Sequence, residues 1–138
     1  MVSYRHPIVV LANGCFDVFH IGHLMHLKAA ALMGDQLVVS LTKDEYVNKG
    51  PNRPMFNETQ REAILLELRC VDRVVVVKNS IEALRLVRPD IFVKGKEYEN
   101  SLSVEDVTYC KKHGVKIAFT DEPVFSSSEI INAGFGRS

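Results

Sequence analysis

The chain has 138 residues, of which 46% are hydrophobic, enough for one domain with a buried core. Its 17 basic residues balance its 17 acidic residues, so its charge gives no support to binding of nucleic acid or of a membrane surface. No apolar run reaches the roughly 18 residues of a membrane span, and the N-terminus predicts a strand, not a secretory signal. The cysteines are few and widely spaced, which favours reduced thiols in the cytoplasm.

Strand and helix patterns alternate along the chain. In the first half, the patterns predict a strand at 8–12, a helix at about 22–33, a strand at 36–41, a loop at 44–57 and a helix at about 58–69. In the first helix, Leu24, Leu27, Ala31 and Leu32 recur at helical spacing. The second helix is expected to begin at an Asn57–Gln60 capping box and to bury Ile64, Leu65 and Leu68.

The second half continues the alternation. It predicts a strand at 73–77, a helix at 80–87, a strand at 91–93, a helix that Ser103 opens and Gly114 closes, a strand at 115–119 and a last helix after residues 126–129. The expected fold is therefore a single α/β domain at 1–138, with a Rossmann-like, doubly wound parallel sheet of five strands and helices on both faces. Ligands of such sheets bind beyond the carboxyl ends of the strands.

The segment at 14–23, Gly-Cys-Phe-Asp-Val-Phe-His-Ile-Gly-His, lies where the first strand turns into the first helix. Unpaired N–H groups and a positive dipole at a helix start favour an anion, above all a phosphate. His20 and His23 share one helix face and are expected to stabilise charge that develops on a nucleotide phosphate. The alternative is two ordinary histidines whose ring nitrogens have other partners.

A metal site is a third interpretation, because His26 continues the spacing of His20 and His23. His26 lies about 120° around the helix axis from His20, since successive residues turn by about 100°. The three rings therefore do not converge on one ion, and we expect no protein-bound metal.

Smaller motifs add candidate contacts. Gly14 and Gly22 permit close approach of backbone to a ligand. Asp17 either orients this loop or helps to hold a nucleotide-bound Mg²⁺, or it accepts N–H bonds in a turn. In the long loop, Lys43 and Lys49 are candidate phosphate contacts, and Arg53 is a candidate clamp on substrate.

Two further segments lie at the carboxyl ends of predicted strands or at a helix start. A Lys94-Gly95-Lys96 step follows the fourth strand, where a glycine between two lysines suits a ligand contact. Ser126, Ser127 and Ser128 precede the last helix, where they form a second anion site or simply a cap.

Together these motifs resemble the cytidylyltransferase-like nucleotidyltransferases over residues 9–132. The HxGH signature stands at 20–23. The sequence is most similar to the nucleotidyltransferase domains of ADP-heptose synthases, with their KGxxRP at 49–54, VKGxxY at 93–98 and a closing segment that resembles STTxII, and to glycerol-3-phosphate cytidylyltransferases. The Arg-Thr-x-Gly that precedes the last motif in the glycerol-phosphate enzymes is absent here, so their phosphate contacts and cytidine preference do not transfer.

The resemblance implies that a phosphorylated acceptor, a sugar phosphate or glycerol 3-phosphate, attacks the α-phosphorus of CTP or ATP, with Mg²⁺ bound to the nucleotide and pyrophosphate leaving. His20, His23 and Lys49 would be catalytic. Nucleotide contacts would come from Gly14, Cys15, Phe16, Asp17, Gly22, Lys94, Gly95, Ser126, Ser127 and Ser128. It further implies a homodimer, and the chain is expected to be a fragment of a longer protein with a sugar kinase domain.

Other functions remain open from the sequence. A nucleotide-binding or regulatory domain without catalysis could use the same fold. A dehydrogenase would need a Gly-x-Gly-x-x-Gly turn after the first strand, which Asn13 to Phe16 do not supply. A flavodoxin-like carrier has no use for paired histidines. Neither the acceptor nor the choice between CTP and ATP follows from the sequence.

Overall fold

Strands and helices alternate throughout the computed structural model, which describes residues 6–121. The strands are β1 (Val9–Gly14), β2 (Gln36–Thr42), β3 (Arg73–Val77), β4 (Ile91–Gly95) and β5 (Lys116–Thr120). The helices are α1 (Ile21–Ala31), α2 (Glu58–Leu66), α3 (Ser80–Val87) and α4 (Val104–His113). Short 3₁₀ turns lie at Asp44–Tyr46 and Lys96–Tyr98. The predicted serine segment at 126–128 lies outside the described residues.

All five strands are parallel and run in the order β3-β2-β1-β4-β5. The chain reverses its direction of travel across the sheet between β1 and β4, where Ala12 lies beside Val93. Side chains of successive strand residues point to opposite faces, so Val10 packs with α1 and α2 while Leu11 packs with α3 and α4. The predicted α/β fold with helices on both faces is confirmed.

Helix ends follow the predicted capping chemistry. Asn57 accepts a hydrogen bond from the Gln60 N–H at 2.8 Å, and the Gln60 side chain accepts one from the Asn57 N–H at 3.1 Å. Ser103 caps α4 by accepting from the Asp106 N–H at 3.1 Å. Gly114 ends α4 with a positive φ of 69°, which glycine adopts at little cost.

The predicted burial of Ile64 and the predicted ends of the first two helices are wrong. Helix α1 ends at Ala31, and Leu32, just past its last turn, is 89% exposed. Helix α2 ends at Leu66, before the predicted 69. Ile64 is 41% exposed because it lies about 100° around the axis from fully buried Leu65, so only one of the two can face the sheet.

The loop predicted at 44–57 is irregular apart from its 3₁₀ turn. Among residues 6–121, no helix has the length and apolar character needed to cross a membrane.

Candidate active site

The signature segment connects the carboxyl end of β1 to the first turn of α1. Gly14 ends β1 against the Phe16 ring, and a Cβ on Gly14 would lie 2.9 Å from Phe16 Cε2. Phe16 itself adopts a positive φ of 51°, which turns the chain toward the helix. A larger residue at Gly14 would displace this ring, so the observed packing of the turn requires glycine at this position.

The two signature histidines cap α1 with their Nδ1 atoms. His20 Nδ1 accepts a hydrogen bond from the Gly22 N–H at 3.0 Å, and His23 Nδ1 accepts one from the His20 N–H at 3.2 Å. Because a backbone N–H can only donate, neither Nδ1 carries a proton. Each neutral ring therefore has its proton on Nε2 and is a hydrogen-bond donor there.

The two rings stack with centroids 3.8 Å apart, and their surroundings disfavour a positive charge. Burial, followed by the charge of Lys49, lowers the pKa of His20. Burial lowers the pKa of His23 to about 3, with smaller effects from His20, Lys49 and His26. Both imidazoles are consequently neutral at physiological pH.

His20 Nε2 is buried and has no hydrogen-bond partner among residues 6–121. Buried donors are nearly always paired in folded proteins, so an unpaired one at a helix start indicates a ligand position. Phe16 and Phe19 support the neighbouring ring, with centroids 5.3 and 5.5 Å from that of His23. This apolar support fixes the ring orientation and excludes water from one side.

Lys49 supplies a cation near the histidine pair. Its side chain is exposed, and its positive charge helps to lower the pKa of both His20 and His23. It precedes Gly50, whose φ of 98° bends the long loop at this point. The structure thus brings a cation and two neutral donors together at the carboxyl edge of the sheet, as the sequence predicts for a phosphate site.

Asp17 holds the long loop against the signature segment. Its fully buried carboxylate accepts hydrogen bonds from Arg53 Nε at 2.9 Å, the Met55 N–H at 2.8 Å and the Phe56 N–H at 3.0 Å. These bonds and the Arg53 charge hold its pKa below the usual value, although burial acts in the opposite direction and is the largest single effect. This geometry supports the loop-orienting interpretation of Asp17 over a magnesium ligand.

Arg53 is engaged by the same contact. Its side chain is 7% exposed, and it donates to both the carboxylate and the backbone carbonyl of Asp17. A phosphate contact by Arg53 remains a prediction, and the arrangement seen here gives the guanidinium a role in fixing the loop.

Arg61 is the residue that sequence reasoning missed. It is 1% exposed, and its guanidinium donates to the carbonyls of Phe56, Cys15 and Thr42 and to the Asp44 carboxylate. It therefore joins the signature segment, the end of β2 and the long loop. One signal was available: Arg61 lies four residues before Leu65, on the buried face of α2.

Lys94 and Gly95 lie at the carboxyl end of β4, the strand beside β1. The Lys94 ammonium lies 4.7 Å from the centroid of the Tyr98 ring, and a negative charge on Cys15 would act on it. Lys94 thus lies close to the signature segment but on the α3–α4 face of the sheet. The atoms nearest to a Cβ on Gly95 would be those at the flexible end of the Glu97 side chain, with Oε2 at 2.4 Å.

His26 contacts β5 and is not part of the stacked histidine pair. Its Nδ1 lies 2.7 Å from Thr120 Oγ1, at the end of β5. Among residues 6–121, no three His, Cys, Asp or Glu side chains are grouped so that they could hold a metal ion.

Comparison with known proteins identifies the family of the chain. The sequence profile of the cytidylyltransferase-like family matches residues 11–133. The bifunctional protein HldE of Gluconobacter oxydans is 43% identical over 124 residues, covering 86% of this chain and 26% of the relative. The HldE protein of Methylobacillus flagellatus is 38% identical over 136 residues, covering 94% of this chain and 28% of the relative. The chain thus spans about a quarter of the length of these relatives.

A solved structure shows the same fold. The lipopolysaccharide core biosynthesis protein of Thermoplasma volcanium superposes with a TM-score of 0.73 at 31% identity, covering 86% of this chain and all of that one. Fold, signature segment and sequence profile agree. The chain belongs to the cytidylyltransferase-like family of nucleotidyltransferases.

Proposed function

We propose that this domain transfers a nucleoside monophosphate from CTP or ATP to a phosphorylated acceptor, with release of pyrophosphate. The observation that carries the proposal is the stacked pair of neutral histidines, in which the buried His20 Nε2–H has no partner among the described residues. Two neutral donors at a helix start match a phosphate whose charge increases during transfer.

In the proposed reaction, an oxygen of the acceptor phosphate attacks the α-phosphorus of the nucleotide. A new phosphorus–oxygen bond forms, the bond from the α-phosphorus to the bridging oxygen breaks, and pyrophosphate leaves with that electron pair. An ionised phosphate needs no general base to remove a proton. This agrees with the two histidines, because their Nδ1 atoms already accept backbone hydrogen bonds and their Nε2 atoms already carry a proton. The Nε2–H groups of His20 and His23 would donate to the α-phosphate, and Lys49 would neutralise the departing phosphates.

Magnesium enters this proposal only as the counter-ion of the nucleotide. The signature segment has a single carboxylate, Asp17, and its oxygens already accept three hydrogen bonds from the long loop. The chain therefore offers no free carboxylate ligand from this segment, and phosphate oxygens and water would complete the ion's shell.

A sugar phosphate is the acceptor that the relatives favour. The Thermoplasma volcanium structure is named for lipopolysaccharide core biosynthesis, which supports a sugar-derived substrate. The curated relatives are called bifunctional, and the matched region is only 26% and 28% of their length, which supports a second, fused activity such as a sugar kinase. Free thiols at Cys15, Cys70 and Cys110 favour the cytoplasm, and a homodimer remains a family-based expectation.

The test is pyrophosphate release in the presence of Mg²⁺, with ATP, CTP, GTP and UTP each crossed against a panel of sugar phosphates and glycerol 3-phosphate. We expect release that requires one nucleotide together with one acceptor and that His20→Ala nearly abolishes. His113→Ala, at an exposed histidine on α4, is the control and should retain the wild-type rate. Tight nucleotide binding without release from any pair would instead favour a non-catalytic nucleotide-binding domain.

A further inference from the structure

One side-chain hydrogen bond joins α1 to the far half of the sheet, which β4 and β5 form. His26 Nδ1 lies 2.7 Å from the Oγ1 of Thr120, the last residue of β5. Thr120 is 3% exposed, and it lies in register beside Gly95 at the end of β4. We call this contact the His26–Thr120 link. Neither the sequence pattern nor the proposed reaction assigns it a role.

The link adds a directional contact to a helix that otherwise packs through apolar side chains. Leu27 and Ala30 of α1 are fully buried in the core on this face of the sheet. Apolar packing is not directional, so it leaves a helix some freedom to rotate about its axis. A hydrogen bond has a preferred distance and angle. Among residues 6–121, the His26–Thr120 link is the side-chain hydrogen bond that ties α1 to a strand.

The rotation of α1 decides where the signature histidines point. His26 lies three residues after His23, and the rings of His20 and His23 are stacked at the first turn of the same helix. Side chains reach about 5–6 Å from a helix axis, so a rotation of about 10° moves their atoms by about 1 Å. A misplacement of about 1 Å can lower the rate of a reaction by about 10²-fold. A contact that fixes this rotation therefore matters for donors at His20 and His23.

The chemistry of the two partners keeps the link formed at neutral pH. Burial lowers the pKa of His26; the charge of Glu97 opposes this effect and that of Lys94 adds to it. A neutral imidazole has one donor and one acceptor nitrogen, and a threonine hydroxyl can donate or accept, so the bond forms with either tautomer. Because His26 is half-buried and Thr120 is buried, water competes poorly for these groups.

We propose that His26 is a positioning residue whose bond to Thr120 fixes the rotation of α1 and so aims the Nε2–H groups of His20 and His23 at the reacting phosphate. The inference rests on the proposed function for the reaction that these donors serve. The link acts through the histidine pair and contacts no substrate itself.

The first experiment measures the kinetics of Thr120→Val, which removes the hydroxyl and nearly keeps the shape of the side chain. We expect kcat per folded protein to fall by about 10- to 100-fold. The nucleotide KM should change by about threefold or less, because the two donors act mainly on the transition state. Thr120→Ser keeps the hydroxyl and should retain most of the wild-type kcat. Thr108→Val, at an exposed threonine of α4, is the control and should retain all of it.

A double-mutant cycle tests whether the effect passes through the histidine pair. Thr120→Val is combined with His20→Asn, which removes one of the two donors that the link is expected to aim. The loss of kcat caused by Thr120→Val should then be smaller than in the wild-type background, by about threefold or more. If Thr120→Val does not fold, His26→Phe removes the same bond from the other side and takes its place in the cycle.

A second readout does not depend on turnover. Nitrogen NMR shifts of histidine rings report the tautomer and the hydrogen bonds of each ring nitrogen. We expect Thr120→Val to change the shift of His26 Nδ1, which loses its partner, and also the shifts of the His20 and His23 rings, which lose their orientation. Thr108→Val should change none of these shifts.

Three results would overturn the proposal: a wild-type kcat in Thr120→Val, an equal loss of kcat from this substitution with and without His20→Asn, or ring shifts of His20 and His23 that it leaves unchanged. Absence of pyrophosphate release from the wild-type protein would instead count against the proposed transfer. The NMR shifts would still show whether the link orients the histidine pair, so the two failures can be told apart.

Discussion

His20 combines a structural and a chemical role in one ring. Its Nδ1 caps α1 by accepting from Gly22, and this bond leaves the proton on the Nε2 that faces the site. The sequence predicts that two histidines share a helix face, but it does not show the capping. Substitution by alanine therefore removes a helix cap as well as a donor, which costs about 1 kcal/mol of stability.

His23 makes the stability of the fold depend on pH. The pKa of its side chain is about 3 in the folded protein, against an ordinary value of 6.5. Between these values the unfolded chain binds a proton that the folded chain does not, so stability is complete above 6.5 and declines as the pH falls toward 3.

We expect this group to contribute up to about 2 kcal/mol to the loss of stability between about pH 7.5 and about pH 5. Urea unfolding of the wild type and of His23→Asn at both pH values measures it, since asparagine can still cap but does not titrate. Equal losses in the two proteins would contradict the low pKa of His23.

Asp17 is expected to be the most sensitive carboxylate of the described chain. Asp17→Asn leaves the buried Arg53 guanidinium without its counter-charge, which typically costs about 3–5 kcal/mol. Asp44→Asn is the matched control. Asp44 pairs with Arg61, but its side chain is 38% exposed and Arg61 still donates to three backbone carbonyls, so the loss there should be smaller. Chemical denaturation measures the loss in the free energy of unfolding for both variants. Equal losses would show that the burial of the Asp17–Arg53 pair does not increase its contribution to stability.

At the scale of elements, the order and type of helices and strands follow from residue pattern, because apolar runs alternate with helical spacing. Position within an element is less predictable. Ile64 and Leu65 are equally apolar, and only the packing of α2 on the sheet decides that Leu65 is buried. The role of Arg61 was not predicted, because it depends on hydrogen bonds to the carbonyls of Cys15 and Thr42, which are distant in sequence.

Arg61 is therefore expected to act as a positioning residue. Arg61→Lys retains the charge but cannot reproduce a planar guanidinium that contacts three carbonyls and a carboxylate. We therefore expect a loss of about 2–4 kcal/mol in stability and a lower kcat. Arg69→Lys, at an exposed position beyond the same helix, should change neither. If nucleotide KM and kcat are unaffected in a folded Arg61→Lys protein, the guanidinium does not position the signature segment.

At the scale of the whole molecule, the reversal of strand order between β1 and β4 determines where chemistry can occur. It places the signature segment and Lys94 at one edge of the sheet, each at the end of a strand. The sequence predicts this placement for residues at strand ends. It does not predict the link between α3 and α4 through Ser80 and Asp106, because that contact joins two helices whose relative position depends on the sheet.

A nucleotide bound at this edge should stabilise the entire domain. At a concentration one hundred times its dissociation constant, it adds about 2.7 kcal/mol to the free energy of unfolding. His20→Asn should show nearly the same nucleotide-induced shift in melting temperature, provided that the histidines act mainly on the transition state. A shift that disappears in the variant would instead assign His20 to ground-state binding.

In the proposed reaction, the Nε2–H of a neutral His20 stabilises the transition state of phosphoryl transfer. The most direct test is the turnover rate of His20→Asn, because the asparagine oxygen can replace Nδ1 as the helix cap but supplies no donor at the position of Nε2. We expect the melting temperature to change little while kcat falls by about 10²- to 10³-fold. A correctly folded His20→Asn protein with a nearly normal kcat would contradict it.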